Sequence, residues 1–167
     1  SDGGGVVLNI RNAAALTAEF ERMMNIKDTT AVLLQPMLSG IELFAGAKRE
    51  DHFGHLILAG MGGIFIEVLK DVAARLSPLS AEEASEMINS LKSQAILKGV
   101  RGQKGINREQ FIDVLLRLSA LQEAAPEIFE MDLNPLLGNE KQIVAVDARI
   151  HISKQQLIND PTNQPRS

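Results

Sequence analysis

Two aspartates and an asparagine near the end of the chain have the types and spacing best suited to chemistry. Asp132 and Asn134 lie in the segment Glu130-Met131-Asp132-Leu133-Asn134-Pro135-Leu136, and Asp147 lies in the next apolar segment. Carboxylate and amide oxygens are the ligands that Mg²⁺ selects, and water and substrate phosphates usually complete its shell. The alternative is a solvated strand face on which Asp132 pairs with Arg149 across neighbouring strands. The pattern therefore supports two interpretations, a magnesium site or a polar strand surface.

Alternation along the segment separates these polar side chains from apolar ones. Successive side chains of a strand point to opposite faces, so the apolar set faces the core and the polar set faces away. The apolar set is Phe129, Met131 and Leu133, and the polar set is Glu130, Asp132 and Asn134. In the following strand the apolar set is Val144, Val146, Ala148 and Ile150, and the polar set is Asp147, Arg149 and His151. Two such strands predict a hairpin with one polar face.

The register of this hairpin follows from its buried face, because a slip of one residue would expose the apolar side chains. The predicted pairs are Asn134 with Asp147, Asp132 with Arg149, and Glu130 with His151. Asp and Asn form strands poorly, so a compensating interaction is expected. We therefore expect Asp132, Asn134 and Asp147 to lie close together on a polar sheet surface.

Composition places the chain among ordinary globular domains and excludes several functions. Its 167 residues, 45% apolar and 23% charged, suit one folded domain. The net charge of −4 argues against a broad nucleic-acid surface. The absence of cysteine excludes a thiol nucleophile, a disulfide framework and cysteine-held metals. No apolar run approaches the ~20 residues of a membrane span, and no signal peptide is recognised. We expect a cytoplasmic protein without membrane or nucleic-acid partners.

Helix and strand patterns alternate along the chain and predict an α+β fold, with a largely antiparallel sheet packed by helices. Strands are predicted at 6–10, 31–34, 41–48, 53–59, 64–76, 128–133 and 143–152. Helices are predicted after Asn12, from a capping box of Ser80 and Glu83 to Gly99, and from Asn107 with Gln110 to Pro126. Residues 1–153 are expected to form the domain and residues 154–167 a loose polar tail.

The two carboxylate-bearing segments also carry a family resemblance. Asp132-Leu133-Asn134-Pro135-Leu136 followed by Val144-Ala145-Val146-Asp147-Ala148-Arg149-Ile150 resembles the end of the ATP-grasp domain in nucleoside-diphosphate-forming acyl-CoA synthetases, such as ADP-forming acetyl-CoA synthetase. The succinyl-CoA synthetase beta subunit has the same pattern in a diverged form. Further matches stand in the family's order at Ser1–Val6, Leu34–Met37, Gly40–Leu43, Phe53-Gly54, Gly60–Glu67, Leu69–Val72, Arg75–Leu79 and Arg101-Gly102. The resemblance spans residues 1–152 and implies the C-terminal subdomain of an ATP-grasp domain.

The resemblance implies the nucleotide- and Mg²⁺-binding part of an enzyme, an acid–thiol ligase. The family interconverts acyl-CoA, phosphate and a nucleoside diphosphate with the acid, CoA and the triphosphate, through an acyl phosphate and a phosphohistidine. ATP/ADP and Mg²⁺ are the implied cofactors, and the choice between ADP and GDP stays open.

The resemblance also assigns roles to individual residues. Asn134 and Asp147 match the Mg²⁺ ligands, and Asp132 is a catalytic carboxylate beside them. Gln35, Pro36, Met37 and Leu38 match the hinge that borders the adenine through backbone groups, Glu42 matches a glutamate on the ribose, and Glu67 matches a cofactor-binding loop residue.

The chain departs from the family pattern at its start. A His-Lys pair commonly precedes the segment that matches Ser1-Asp2, and here the chain starts after that point. We therefore expect a partial ATP-grasp domain. Its phosphate-carrying histidine and the CoA-binding and ligase domains are then supplied within the same enzyme or by a second subunit. Phosphoryl transfer depends on positioning and charge neutralisation, so the chain alone is expected to be inactive.

Three other functions fit the sequence. The first is a non-catalytic ATP-grasp-like module of a larger protein, such as an acetyltransferase fusion. The second is a part of an ATP-grasp ligase with an amine acceptor, and the third is an interaction domain with a polar sheet face. Retention of Asp132, Asn134 and Asp147 favours a working site over the module, and the Asp-Leu-Asn-Pro-Leu segment argues against the amine ligase.

Overall fold

The computed structural model describes residues 4–50, 52–63, 70–100, 102 and 104–153. It divides into two units, residues 1–38 and residues 39–167. The first unit holds helix α1, Ala13–Met24. This helix begins where Oδ1 of Asn12 accepts a hydrogen bond from the Ala15 amide at 2.8 Å. The predicted helix start at Asn12 is therefore confirmed.

The strands predicted at 6–10 and 31–34 are wrong, because the described part of the first unit contains no strand. Asn9 has a φ of 61°, in the left-handed region, which interrupts an extended chain. Leu33 and Leu34 are 80% and 63% exposed, so their apolar run is not a buried strand. A short apolar run forms a strand only when another strand pairs with it, and periodicity alone does not reveal the partner.

The second unit is built on an antiparallel sheet of six described strands. They are β1 Ile41–Glu50, β2 Gly54–Met61, β3 Val72–Leu76, β4 Ile128–Gly138, β5 Ile143–Ala145 and β6 Ala148–Ile152. The order across the sheet is β3-β2-β1-β4, and both β5 and β6 pair with β4. The predicted α+β class and the strands at 41–48, 53–59 and 128–133 are confirmed. Of the strand predicted at 64–76, residues 64–69 lie outside the described residues and the remainder contains β3.

Two of the three described helices of the second unit begin at side-chain caps that the sequence encodes locally. The helices are α2 Ala81–Ser90, α3 Gln94–Lys98 and α4 Arg108–Ala124, and α3 has no side-chain hydrogen bond at its cap. The capping box is present in full: Ser80 Oγ accepts from the Glu83 amide at 3.2 Å, and Glu83 Oε2 accepts from the Ser80 amide at 2.8 Å. Asn107 caps α4 by accepting from the Gln110 amide at 3.0 Å. None of the helices that the structure describes is long and apolar enough to cross a membrane.

The helix predicted to run from Ser80 to Gly99 is divided into α2 and α3 by a long-range interaction. The buried carboxylate of Asp71, which precedes β3, accepts the backbone amides of Lys92 and Ser93 at 2.8 Å each and also the Ser93 hydroxyl. These amides are thereby bound to a side chain from another part of the chain. The prediction of one continuous helix was wrong, although Gly99 does end α3.

The helices α2 and α4 cover one face of the sheet and form the core with it. The buried side chains of this face and its helices include Leu43, Ala45, Ala47, Ile57, Ala59, Met87, Ile88, Phe111 and Leu115. Alternation sends the intervening residues of β1, among them Phe44 and Gly46, to the other face. The Asp132 side chain shares that face, because Asp132 is the cross-strand partner of Gly46. No described helix of the second unit covers it, so the Asp132 side chain lies on the face opposite these helices.

Candidate functional site

The predicted register of the two carboxylate-bearing strands is confirmed, but the core-facing apolar side predicted for the second strand is wrong, because Val146, Ala148 and Ile150 are exposed. Asp132 pairs with Arg149 and Glu130 pairs with His151 in the β4–β6 ladder. The backbone amide of Asn134 donates to the backbone carbonyl of Asp147 at 3.2 Å, so these two residues are also opposite each other. The backbone thus brings Asp132, Asn134 and Asp147 onto adjacent positions of neighbouring strands.

A β-bulge lies at the centre of this site. Asn134 and Pro135 of β4 together oppose Phe44 of β1, since the register shifts between Leu43 and Ala45. Pro135 has no amide to donate, although its carbonyl accepts from the Val146 amide at 3.0 Å. The strand predicted at 143–152 is therefore interrupted, and β5 and β6 flank the break. Bulges change the direction of side chains and are common beside active sites.

Asp132 is a partly buried carboxylate on the uncovered face. Burial raises its pKa above the ordinary aspartate value, and repulsion from Glu130 raises the pKa further, while the guanidinium of Arg149 lowers it in part. An ionised carboxylate in this position lacks full compensation from the protein. A divalent cation nearby would supply that compensation.

Asp147 is more exposed and has a charged neighbour. Its side chain is 52% exposed, and its Oδ2 lies 3.6 Å from Nε of Arg149, whose side chain is 84% exposed. Such an exposed pair contributes little to stability and leaves the carboxylate accessible. The Asp147 and Asp132 carboxylates and the side-chain amide oxygen of Asn134 are all oxygen donors. Such donors suit Mg²⁺ better than softer metals.

The number of protein ligands also suits Mg²⁺. In the part of the chain that the structure describes, no three His, Cys, Asp or Glu side chains are placed to hold a metal together. Mg²⁺ commonly takes only one or two carboxylates and completes its octahedron with water and phosphate. The residues present therefore fit a cation that arrives with a phosphate ligand, and they do not form a closed protein cage.

The remaining predicted residues are distributed over both units. Gln35, Pro36, Met37 and Leu38 lie in an irregular segment of the first unit, where the first three are exposed and Leu38 is half-buried. Glu42 lies at the start of β1 in the second unit and is exposed. Glu67 lies outside the described residues.

Glu42 is held against a glycine-rich turn. Its carbonyl accepts from the Gly62 amide at 2.8 Å, and its carboxylate occupies the space where a Cβ of Gly63 would lie. Gly63 has a φ of 59°, a conformation that glycine adopts without strain. The turn after β2 therefore requires glycine both for its backbone and for the Glu42 side chain.

Sequence reasoning missed Gly46, which contacts Asp132 from the neighbouring strand. A Cβ at Gly46 would lie 3.0 Å from Oδ1 of Asp132. The available signal was a glycine inside a strand, which often marks a close approach of another group. The contact itself depends on the pairing of β1 with β4, which the sequence analysis did not predict.

Binding of a divalent cation at this site should depend on pH through Asp132. Protons compete with the cation for this carboxylate, and its raised pKa extends that competition to higher pH than for an ordinary aspartate. We expect Mg²⁺-dependent nucleotide affinity to rise as the pH increases from about 4, the ordinary aspartate value, towards neutrality. Calorimetric titrations over that range should show a shallower rise for Asp132→Asn than for the wild type. Equal pH dependence in both proteins would contradict the role of Asp132.

Comparisons with known proteins show the family to which the chain is similar. A family model described as an ATP-grasp domain matches residues 1–152. The ADP-forming acetate–CoA ligase I subunit beta of Pyrococcus furiosus is 40% identical over 158 residues, covering 90% of this chain and 68% of that protein. The ADP-forming acetate–CoA ligase I of Archaeoglobus fulgidus is 40% identical over 162 residues, covering 93% of this chain but only 24% of that protein.

A solved structure shows the same fold. The dinucleotide-forming acetyl-coenzyme A synthetase 1 of Ca. Korarchaeum cryptofilum, in complex with coenzyme A and Mg-AMPPCP, aligns with a TM-score of 0.77 at 35% identity. The alignment covers 91% of this chain and 70% of that chain. The chain therefore spans about two thirds of one relative's length and about a quarter of another's.

Proposed function

The chain belongs to the ATP-grasp domain family, and we propose that it is the nucleotide- and Mg²⁺-binding part of an NDP-forming acyl-CoA synthetase. The enzyme interconverts acyl-CoA, phosphate and ADP with the acid, CoA and ATP. The proposal is supported by the backbone register, which sets Asn134 opposite Asp147 at the β4 bulge and places Asp132 two residues before Asn134. The relatives' names and the Mg-AMPPCP complex of the structural neighbour support it.

In this proposal the residues at the bulge hold the cation. Asn134 and Asp147 are its ligands, and Asp132 is the catalytic carboxylate beside them. The bound ion neutralises phosphate charge, which is the main requirement of phosphoryl transfer. Arg149 keeps a positive charge next to Asp147, and a guanidinium is a favourable partner for phosphate oxygens.

The nucleotide itself is held by residues outside the bulge. Gln35, Pro36, Met37 and Leu38 border the base through backbone groups, and Glu42 contacts the ribose. The Gly63 backbone leaves the space in which the Glu42 carboxylate is held. Glu67 belongs to the same set, on the basis of the family resemblance.

The phosphoryl group reaches the nucleotide from a histidine in another part of the enzyme. In the ATP-forming direction a β-phosphate oxygen of ADP attacks the phosphohistidine phosphorus, the P–O bond forms, and the P–N bond breaks with its electrons returning to the imidazole. We propose that this histidine and the CoA-binding and ligase domains belong to the same enzyme or to a second subunit, which acts with this chain in the cytoplasm. The chain alone is then expected to be inactive.

Calorimetric titration of ADP into the synthetase that contains this chain tests the proposal. We expect ADP to bind at least about 10-fold more tightly with Mg²⁺ than with a chelator, because the ion joins the phosphates to the bulge. GDP in a parallel titration shows which base is preferred. Equal affinity with and without Mg²⁺ would contradict the metal assignment, and absence of nucleotide binding would instead favour a non-catalytic module.

A further inference from the structure

Gly46, in the middle of β1, leaves a space that the Asp132 carboxylate borders. Gly46 pairs with Asp132 on β4 and with Leu58 on β2. A Cβ at this position would lie 3.0 Å from Asp132 Oδ1, 3.0 Å from the Met131 carbonyl oxygen and 3.0 Å from Cζ of Phe44. Three groups on two strands therefore approach the same missing side chain.

Backbone conformation does not explain glycine at this position. Gly46 is not among the described residues with positive φ, so its backbone is open to other residue types. Glycine inside a strand weakens it, because the residue loses more freedom on folding and packs no side chain. Close approach by neighbouring groups is the remaining physical reason for a glycine here, and Asp132 is the charged group among them.

We propose that Gly46 is a positioning residue, whose missing side chain lets the Asp132 carboxylate lie against the sheet beside the Phe44 ring. This inference deepens the proposed function and rests on it. The carboxylate is held in a partly buried position on the same strand as Asn134, two residues away. A Cβ at Gly46 would require the Asp132 carboxylate to shift from the position that it takes against the sheet.

Gly46→Ala tests this proposal through ADP binding by the synthetase that contains this chain, measured with and without Mg²⁺. We expect the Mg²⁺-dependent gain in ADP affinity to fall about 10-fold, as for other groups that orient metal ligands, while ADP affinity in a chelator stays at the wild-type value. A merely structural role of Gly46 would lower the melting temperature and leave the Mg²⁺-dependent gain unchanged.

Leu58→Ala is the matched control. Leu58 lies on the other side of Gly46 and shares its face, so the variant perturbs the same surface without touching Asp132. It should leave the Mg²⁺-dependent gain in ADP affinity at its wild-type value. Asp132→Glu supplies a second test if Gly46→Ala does not fold, because the longer side chain cannot place its carboxylate over Gly46, and it should lose the same affinity.

An unchanged Mg²⁺-dependent gain in ADP affinity in folded Gly46→Ala overturns the inference. If Gly46→Ala does not fold, wild-type affinity in Asp132→Glu overturns it. Failure of the proposed function is distinguishable, since it is seen in the wild-type protein, which then binds ADP equally with and without Mg²⁺. Failure of the positioning role is seen only in the variants.

Discussion

Asn134→Ala and Asp147→Ala should each remove most of the Mg²⁺-dependent gain in ADP affinity. The two residues face each other at the bulge, where the backbone amide of Asn134 donates to the backbone carbonyl of Asp147 at 3.2 Å. Each variant keeps that backbone contact and loses one oxygen ligand. We expect phosphoryl transfer to fall at least about 100-fold, because the charge on the transferred group loses its fixed counterion. Calorimetry with and without Mg²⁺, together with single-turnover phosphoryl transfer, measures both effects.

Asp113→Ala is the control for these variants. Asp113 is an exposed aspartate on α4, paired with Arg117 at 2.7 Å. Its removal deletes one carboxylate of the same type from a helix that packs on the opposite face of the sheet. Wild-type affinity is expected for this variant. Wild-type Mg²⁺ dependence in both Asn134→Ala and Asp147→Ala would show that the bulge holds no cation.

Asp71→Asn should cost about 3 kcal/mol of the free energy of unfolding. The Asp71 carboxylate is only 4% exposed and accepts two backbone amides and the Ser93 hydroxyl in the turn between α2 and α3. Asparagine replaces one acceptor oxygen with an amide that donates, so at least one buried amide loses its partner. Hydrogen bonds to charged groups and unsatisfied buried donors each account for about 1–3 kcal/mol. Urea unfolding followed by far-ultraviolet circular dichroism suits this chain, which has no Trp or Tyr.

The pH dependence of stability provides a second measurement on Asp71. Burial alone raises the pKa of this carboxyl, but the hydrogen bonds from Ser93 and Lys92 outweigh burial and hold the pKa below the ordinary value. A lowered folded pKa stabilises the protein above the unfolded value of about 4, and that stability is lost as the pH falls through the folded pKa. The wild type should therefore lose stability in acid more steeply than Asp71→Asn.

Asp113→Asn is the matched control, because its carboxylate is exposed and should change stability by no more than about 0.5 kcal/mol. A loss below about 1 kcal/mol in Asp71→Asn, or identical acid slopes in the variant and the wild type, would contradict the role given to Asp71.

Local signals in the sequence predicted several elements correctly. The capping box of Ser80 and Glu83 and the cap at Asn107 involve residues three apart, so their geometry is set by the helix itself. The register of Asp132 with Arg149 was also predicted, because a slip of one residue would exchange the two faces of the strand. These features depend on neighbours in the chain or on alternation, both of which are visible in one sequence.

Elements that depend on distant partners were predicted less well. The apolar runs at 6–10 and 31–34 have no described strand beside them. An extended pattern in the sequence does not show which other segment, if any, pairs with it. The helix after Ser80 was predicted to be continuous. The carboxylate that divides it belongs to Asp71, which lies outside that segment and is not visible in the helical pattern. The strand at 143–152 was predicted to be unbroken, and the interruption arises opposite Pro135 of another strand.

The amino-acid sequence by itself determined the oxygen-bearing residue types at Asp132, Asn134 and Asp147 and the ladder that pairs their strands, because both follow from composition and a two-residue period. Only the tertiary structure decided that β1 lies beside β4, with a bulge against Phe44 and Gly46 against Asp132. These contacts join residues far apart in the chain, and they form because helices α2 and α4 bury one face of the sheet. No described helix of the second unit packs on the opposite face, on which the Asp132 carboxylate lies.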